Sequence, residues 1–226
     1  MSGKDELRIG VIGAGNRGFN TLTKKLVAMR ESGENVDLVS VADVYTVHRQ
    51  RFVDYVKEKT GITPASYVDY HELLQQQDVD AVMIGTPDHW HAKQTIDALA
   101  TGKHVYCEKS LIHREEEVYS TYETIKSSHL VFQQGHQYPQ TAAFQVANEI
   151  LKRGLLGKIS HVETTTNRNS PNGAWIRHLD ENGNPKPGDA QSIDWKQWLG
   201  KAPEVPFSIR RYYSWARYFD YDTILF

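Results

Sequence analysis

Leu7-Arg8-Ile9-Gly10-Val11-Ile12-Gly13-Ala14-Gly15-Asn16-Arg17-Gly18 is an apolar run that breaks into three glycines spaced Gly-x-Gly-x-x-Gly. Six residues of this kind before a glycine turn read as a strand covered on both faces. From Asn16 to Glu31 the apolar residues Leu22, Leu26 and Met29 recur at helical spacing. A glycine loop joining a strand to a helix has a physical use. Gly13 permits the tight turn, Gly15 lets a pyrophosphate approach bare backbone, and Gly18 lets the helix pack against the strand. The free N–H groups and the positive end of the helix dipole then favour phosphates. The loop predicts a dinucleotide site built on Gly13, Gly15, Asn16, Arg17 and Gly18.

The pattern continues outward from this loop. Further strands are expected at Val36–Val41, Ala81–Ile84, His104–Cys107 and Val131–Gln134. Helices are expected at 46–60, 71–75, 89–101 and 114–128, with Phe52, Tyr55, Val56 and Lys59 along one face and Ala92, Ile96 and Leu99 along another. Val118, Tyr122 and Ile125 mark the inner face of the fourth of these helices. Strands alternating with helices imply a parallel sheet with helices on both sides, and right-handed crossovers make it a doubly wound Rossmann arrangement. Asp43 stands at the end of the second strand, where a carboxylate accepts the adenosine ribose hydroxyls and repels a 2′-phosphate. This favours NAD over NADP, unless Arg17 or Arg49 reaches the 2′ position.

Composition narrows the function classes. Of 226 residues, 39% are hydrophobic and 24% charged, with a net charge of −2, which suits a globular domain and offers no basic excess for nucleic acid or an anionic membrane. No apolar run approaches the roughly 20 residues of a membrane span. The N-terminus lacks a signal-peptide core, and the single cysteine, Cys107, suits a reducing cytoplasm. Cys107 reads as a buried strand residue.

Thr86-Pro87-Asp88-His89-Trp90-His91 and Tyr106-Cys107-Glu108-Lys109 follow two of the strands, at the ends where ligands bind in such sheets. Together with GAGNRG, VADV, GKHVYCEK and GLLGKISHVE, these segments resemble the Gfo/Idh/MocA oxidoreductases, in the same order along the chain. The resemblance implies residues 1–135 as an NAD-binding Rossmann domain and 136–226 as part of a C-terminal α/β domain on an open, mostly antiparallel sheet. It implies redox chemistry on a sugar, cyclitol or derivative, and a homo-oligomer formed through the second domain. Glu108 and Lys109 match the family's Glu-Lys-Pro motif, with Ser110 in place of the proline. Lys109 is then the catalytic cation beside the reacting hydroxyl. Thr86, Pro87 and His91 match the loop beside the nicotinamide ribose. Asp88 reads as an N-cap for the following helix. Asp88, His89 and His91 have no third ligand type at zinc spacing, so no metal is expected.

After Gly135 the character changes. A helix is expected from Gln140 to Arg153, then an alternating strand from Lys158 to Asn167 and a long loop over residues 169–190. The end is crowded with aromatic residues, from Trp195 to Tyr221. The family's paired catalytic Asp and His do not appear, and His136, His161 and His178 read as surface or packing histidines. The expectation is a truncated second domain that leaves its aromatic tail as an exposed apolar patch. Ser208–Tyr213 reads either as a sugar-site lining or, preferably, as core and interface. Three functions stay open: an NAD-dependent oxidoreductase, an NAD-dependent glycoside hydrolase on the same scaffold, and a catalytically incomplete NAD-binding fragment.

Overall fold

The computed structural model describes residues 6–165 and 188–223. Its centre is a six-stranded parallel sheet: β1 (Leu7–Ile12), β2 (Val36–Ala42), β3 (Ala65–Tyr67), β4 (Ala81–Ile84), β5 (His104–Glu108) and β6 (Phe132–Gly135). The order is β3-β2-β1-β4-β5-β6, the doubly wound order. The chain runs outward in one direction through β3, then returns to the middle and runs the other way from β4. The switch point therefore lies between β1 and β4.

Alternation along each strand divides the core into two layers. Ile9 and Val11 of β1 and Met83 of β4 face α1 (Lys24–Glu31) and α2 (Thr46–Thr60), where Val27, Phe52 and Val56 are buried with them. Ile12, Val82 and Ile84 face the opposite layer with Cys107, Leu73 and Leu74 of α3 (Tyr70–Leu74), and Ala98 and Leu99 of α4 (Asp88–Ala100). Cys107 is fully buried, as read from the sequence, and burial pushes its thiol up to about 12.

The first helix departs from expectation. Residues Asn16–Thr23 are wound as a π-helix before α1 begins. The wider turn rotates the buried face onto Phe19, Thr23 and Val27, leaving Met29 exposed. On α5 (Glu117–Ser127), Thr121 points inward, while Val118 and Tyr122 are exposed, against the reading from periodicity. α5 starts three residues later than expected because the Glu117 carboxylate accepts from the Arg114 and His113 N–H groups, which caps the turn before it.

α6 (Ala142–Lys152) buries none of its residues. Residues 158–165 form no strand, contrary to the alternation expected there, and 166–167 lie outside the described residues. A strand needs a neighbour to take its backbone hydrogen bonds, and this exposed stretch has none among the described residues. Most of the expected 169–190 loop, with His178, also lies outside them.

Residues 188–223 fold back onto the first half, contrary to the expectation of an exposed aromatic patch. Ile193 bridges antiparallel to Tyr45, and the Asp194 N–H donates to the Val44 carbonyl at 3.0 Å. α7 (Trp195–Leu199) and α8 (Ile209–Tyr213) then build a third cluster on Tyr45, in which Trp198, Tyr212 and Tyr221 are buried. Apolar side chains of this size gain about 1.5–3 kcal/mol each on burial, and a neighbouring apolar surface was at hand.

Phe52 is fully buried between α2 and the sheet. Phe52→Ala is expected to lower unfolding stability by about 3–5 kcal/mol, read from denaturant midpoints at unchanged slope.

Candidate dinucleotide cleft

The carboxyl ends of β1, β2 and β4 are in register, with Ile12 opposite both Ala42 and Ile84. Backbone hydrogen bonds carry the alignment into the loops. The Gly13 N–H donates to the Ala42 carbonyl and the Gly85 N–H to that of Ile12, both at 2.8 Å. Three loops thus open into a cleft of about 320 Å³ at the switch point.

Each glycine of the loop has a distinct reason. Gly13 has φ +84°, and a Cβ there would lie 2.8 Å from the Thr86 nitrogen. At Gly18 a Cβ would stand 1.9 Å from the Gly13 carbonyl oxygen, which no side chain can do. Gly15 faces the cleft, where a Cβ would meet only the His48 ring, at 3.7 Å. Beneath the loop, Arg51 donates to the Ala14 carbonyl at 2.7 Å and stacks on Phe19, its guanidinium 4.2 Å from the ring centre.

Asp43 is buried and already engaged. Its Oδ2 accepts from the Ala14 N–H at 2.8 Å and lies 3.2 Å from His48 Nδ1, and its Oδ1 accepts from the Tyr45 N–H at 2.8 Å. Burial alone would raise its pKa, but His48 and the two N–H donors outweigh that and hold it below the ordinary carboxylate range. Among the described residues Oδ1 accepts this one hydrogen bond, and a carboxylate oxygen can accept two. Both arginines that bear on the NAD reading have contacts within the protein. Arg17 pairs with Glu108 at 3.0 Å, and Arg49 donates to the Asp43 carbonyl and, at 3.2 Å, to Thr46.

Of the residues expected at the site, Gly13, Gly15, Asn16, Arg17, Asp43, Thr86, Pro87, Glu108 and Lys109 line this cleft. Two stand behind it. Gly18 packs under Gly13, and His91 is 1% exposed. The His91 ring nitrogens lie 2.7 Å from the Ser110 carbonyl oxygen and 2.8 Å from that of Thr86. His91 is therefore a brace between the loops after β4 and β5 and not a wall of the cleft, which corrects its assignment as a cofactor contact. The Lys109–Ser110 peptide bond is cis. Asp88 is also corrected: Pro87 holds the cap position, and the buried Asp88 carboxylate accepts from the Thr223 hydroxyl at 3.1 Å. Glu108 accepts from the Tyr106 hydroxyl at 3.0 Å, and burial, then Glu108, push that phenol up to about 12.

Several lining residues besides Tyr212 and Tyr213 escaped the sequence reading. His48 sits in the first turn of α2, five residues after the acid. Trp90, Gln197, Trp198, Trp215 and Asp222 come mostly from the aromatic tail. The density of aromatic residues was visible there, but not its destination. Trp198 joins the two halves: its carbonyl accepts from the Trp90 indole at 2.9 Å and lies 3.0 Å from His89 Nε2. Burial lowers His89 to about 4, so it is neutral near pH 7. Ser208–Tyr213 divides between the two readings left open. Tyr212 and Tyr213 line the cleft, while Arg211 stacks within the third cluster, 4.3 Å from the Tyr218 ring centre.

Known proteins share this fold. The scyllo-inositol dehydrogenase of Lactobacillus casei, solved with bound NAD(H) and scyllo-inositol, superposes with a TM-score of 0.60 at 25% identity, over 69% of this chain and 43% of that one. The myo-inositol 2-dehydrogenase of Lactobacillus plantarum gives 0.58 at 28% identity, over 68% and 43%. Among curated relatives, the alpha-N-acetylgalactosaminidase of Shewanella oneidensis is 29% identical over 163 residues, 70% of this chain and 34% of the relative. A glycosyl hydrolase family 109 protein of Shewanella baltica is 28% identical over 165 residues, with the same coverage. The chain thus spans about a third of the length of these curated relatives. The family model described as the oxidoreductase family with an NAD-binding Rossmann fold matches residues 7–136, more than half of the chain, and the protein belongs to that Gfo/Idh/MocA family.

Proposed function

We propose that this chain binds NAD(H) in the switch-point cleft and belongs to an enzyme that transfers hydride between the nicotinamide and a hydroxyl of a sugar, cyclitol or derivative. The observation that carries the reading is the convergence of the glycine loop, Asp43 and Lys109 on one cleft. In this reading residues 1–135 form the dinucleotide-binding unit, and 136–226 contribute to the substrate side.

The chain's residues divide the work by position. The backbone of the glycine loop receives the pyrophosphate, and Asp43 Oδ1 takes a ribose hydroxyl as its second hydrogen bond. The bound nicotinamide supplies the hydride acceptor. Lys109 Nζ would hydrogen-bond the substrate oxygen and relay the hydroxyl proton out to solvent, stabilising the alkoxide from which hydride leaves the carbon. Trp90, Trp198 and Trp215 offer apolar faces at the cleft and exclude water from the reacting end.

A second reading has a specific support in the names of the curated relatives, which are glycosidases. There the same hydride step is transient, and the net reaction is release of an aglycone. The two differ in one readout. Net NADH build-up on a free sugar or cyclitol supports the first, and aglycone release without NADH build-up supports the second.

Calorimetric titration of the 226-residue chain is expected to show NAD⁺ binding tighter than NADP⁺. Asp43→Ala removes a charged acceptor and is expected to weaken NAD⁺ by roughly ten- to a hundredfold. Gly18→Ala is expected to abolish binding through displacement of the loop. A folded chain that binds neither dinucleotide would overturn the reading. In whichever assay gives turnover, Lys109→Ala is expected to lower kcat by about 10²–10⁴ with NAD⁺ affinity little changed. An equal loss in both would instead assign Lys109 to cofactor binding.

A further inference from the structure

The role of His48 goes beyond cofactor binding itself, although it rests on NAD(H) occupying the cleft. In a doubly wound domain the pyrophosphate lies on the glycine loop and the adenosine ribose lies on the acid after the second strand. The 2′ position of that ribose therefore lies beside Asp43, and His48 borders the same space. Its Nδ1 is 3.2 Å from Asp43 Oδ2, and its Cε1 is 3.7 Å from the place a Cβ on Gly15 would take.

The ring is also held from two other sides. The Tyr45 ring meets it edge-on with centroids 4.7 Å apart, and the Tyr212 hydroxyl is 3.4 Å from Nδ1. Only 12% of the His48 side chain is exposed, although it borders an open cleft. A ring that meets a carboxylate through Nδ1 and packs between two tyrosines does not swing aside at little cost. Among the described residues each nearby arginine has a protein contact already: Arg17 lies 3.0 Å from Glu108, Arg49 donates to the Asp43 carbonyl, and Arg51 to that of Ala14.

We propose that His48 is a specificity-determining residue: its imidazole fills the space beside Asp43 that a 2′-phosphate would need, so the chain selects NAD over NADP by shape as well as by charge. Two mechanisms then act together. Asp43 repels the phosphate, and His48 excludes it. Excluding the wrong ligand is as effective as gaining contacts to the right one.

The test separates ring volume from the hydrogen bond. His48→Asn keeps a donor near the Nδ1 position but loses the rest of the ring. His48→Phe keeps the ring and loses the donor. Affinities for NAD⁺ and NADP⁺ are measured by calorimetry on the full chain and both variants, each first shown to be folded by its thermal unfolding transition. The expected result is a NADP⁺-to-NAD⁺ Kd ratio that falls about tenfold in His48→Asn and stays near the parent value in His48→Phe. Asp43 remains in every variant, so the preference narrows without reversing.

An unchanged ratio in His48→Asn would overturn the proposal and leave His48 as a partner that only orients Asp43. A NADP⁺ affinity that drops further than that of NAD⁺ would also overturn it, because His48 would then be recognising the phosphate. Failure of the parent chain to bind either dinucleotide would reject the cofactor reading itself, and the proposal with it. The parent titration distinguishes that result from failure of the His48 inference alone.

Discussion

The cleft depends on one close approach. Gly18, at the start of the first helix, lies so near the Gly13 carbonyl that a Cβ would stand 1.9 Å from that oxygen. Gly85, at the end of β4, is tied into the same contact, since a Cβ there would fall 3.1 Å from the Gly18 Cα. Two turns of the glycine loop and the residue after β4 therefore meet without side chains between them. That fixes where the first helix begins relative to β1 and β4, and hence where its N–H groups point. The π-helical winding of Asn16–Thr23 belongs to the same constraint, because this segment must pass close to the sheet before the regular helix continues. The Thr23 hydroxyl donates to the Gly18 carbonyl at 2.7 Å across the same turn.

The second constraint is the burial of Asp43. A carboxylate withdrawn from water is costly unless hydrogen bonds replace the lost solvent. Here the Ala14 and Tyr45 N–H groups and His48 do so, and they come from the glycine loop, the start of the next connection and α2. The acid is thus a structural tie between three segments as well as a ligand contact. Removing it would disturb the loop and leave His48 without its partner. Substitutions at His48 that leave Asp43 intact therefore report on cofactor selection more cleanly than any change at the acid.

Much of this was legible in the chain. Four of the five strands expected before Gly135 start at the expected residue, because a strand covered on both faces must be apolar throughout. The glycine loop and its acid were readable for the same kind of reason: phosphate approach and close packing each demand a missing side chain. What failed depended on partners that local pattern does not name. β3 is three residues long and carries exposed Ala65 and Ser66, so it gave no apolar signal. Residues 158–165 alternate as a strand does, yet nothing beside them among the described residues supplies a ladder. His91 carried the right identity in the right motif, but its ring turned inward to two carbonyl oxygens. His48 had no motif at all. Its significance comes only from lying between Gly15 and Asp43.

The aromatic tail shows how a site is completed by distant sequence. Its first tie is backbone: the bridge from Ile193 to Tyr45 places the tail directly after the acid. From there the Trp198 carbonyl reaches the Trp90 indole, and the Tyr212 phenol reaches His48. One segment therefore contacts both the helix that follows β4 and the helix that follows β2. Those helices flank the switch point from opposite layers of the sheet. A shift in the tail would move both walls of the cleft together, whereas a shift in either helix would have to break the third cluster. The dinucleotide cleft is thus held open from below by glycines and held in shape from above by aromatic residues. The two sets meet at the His48 ring, against which Gly15 and Tyr212 both stand.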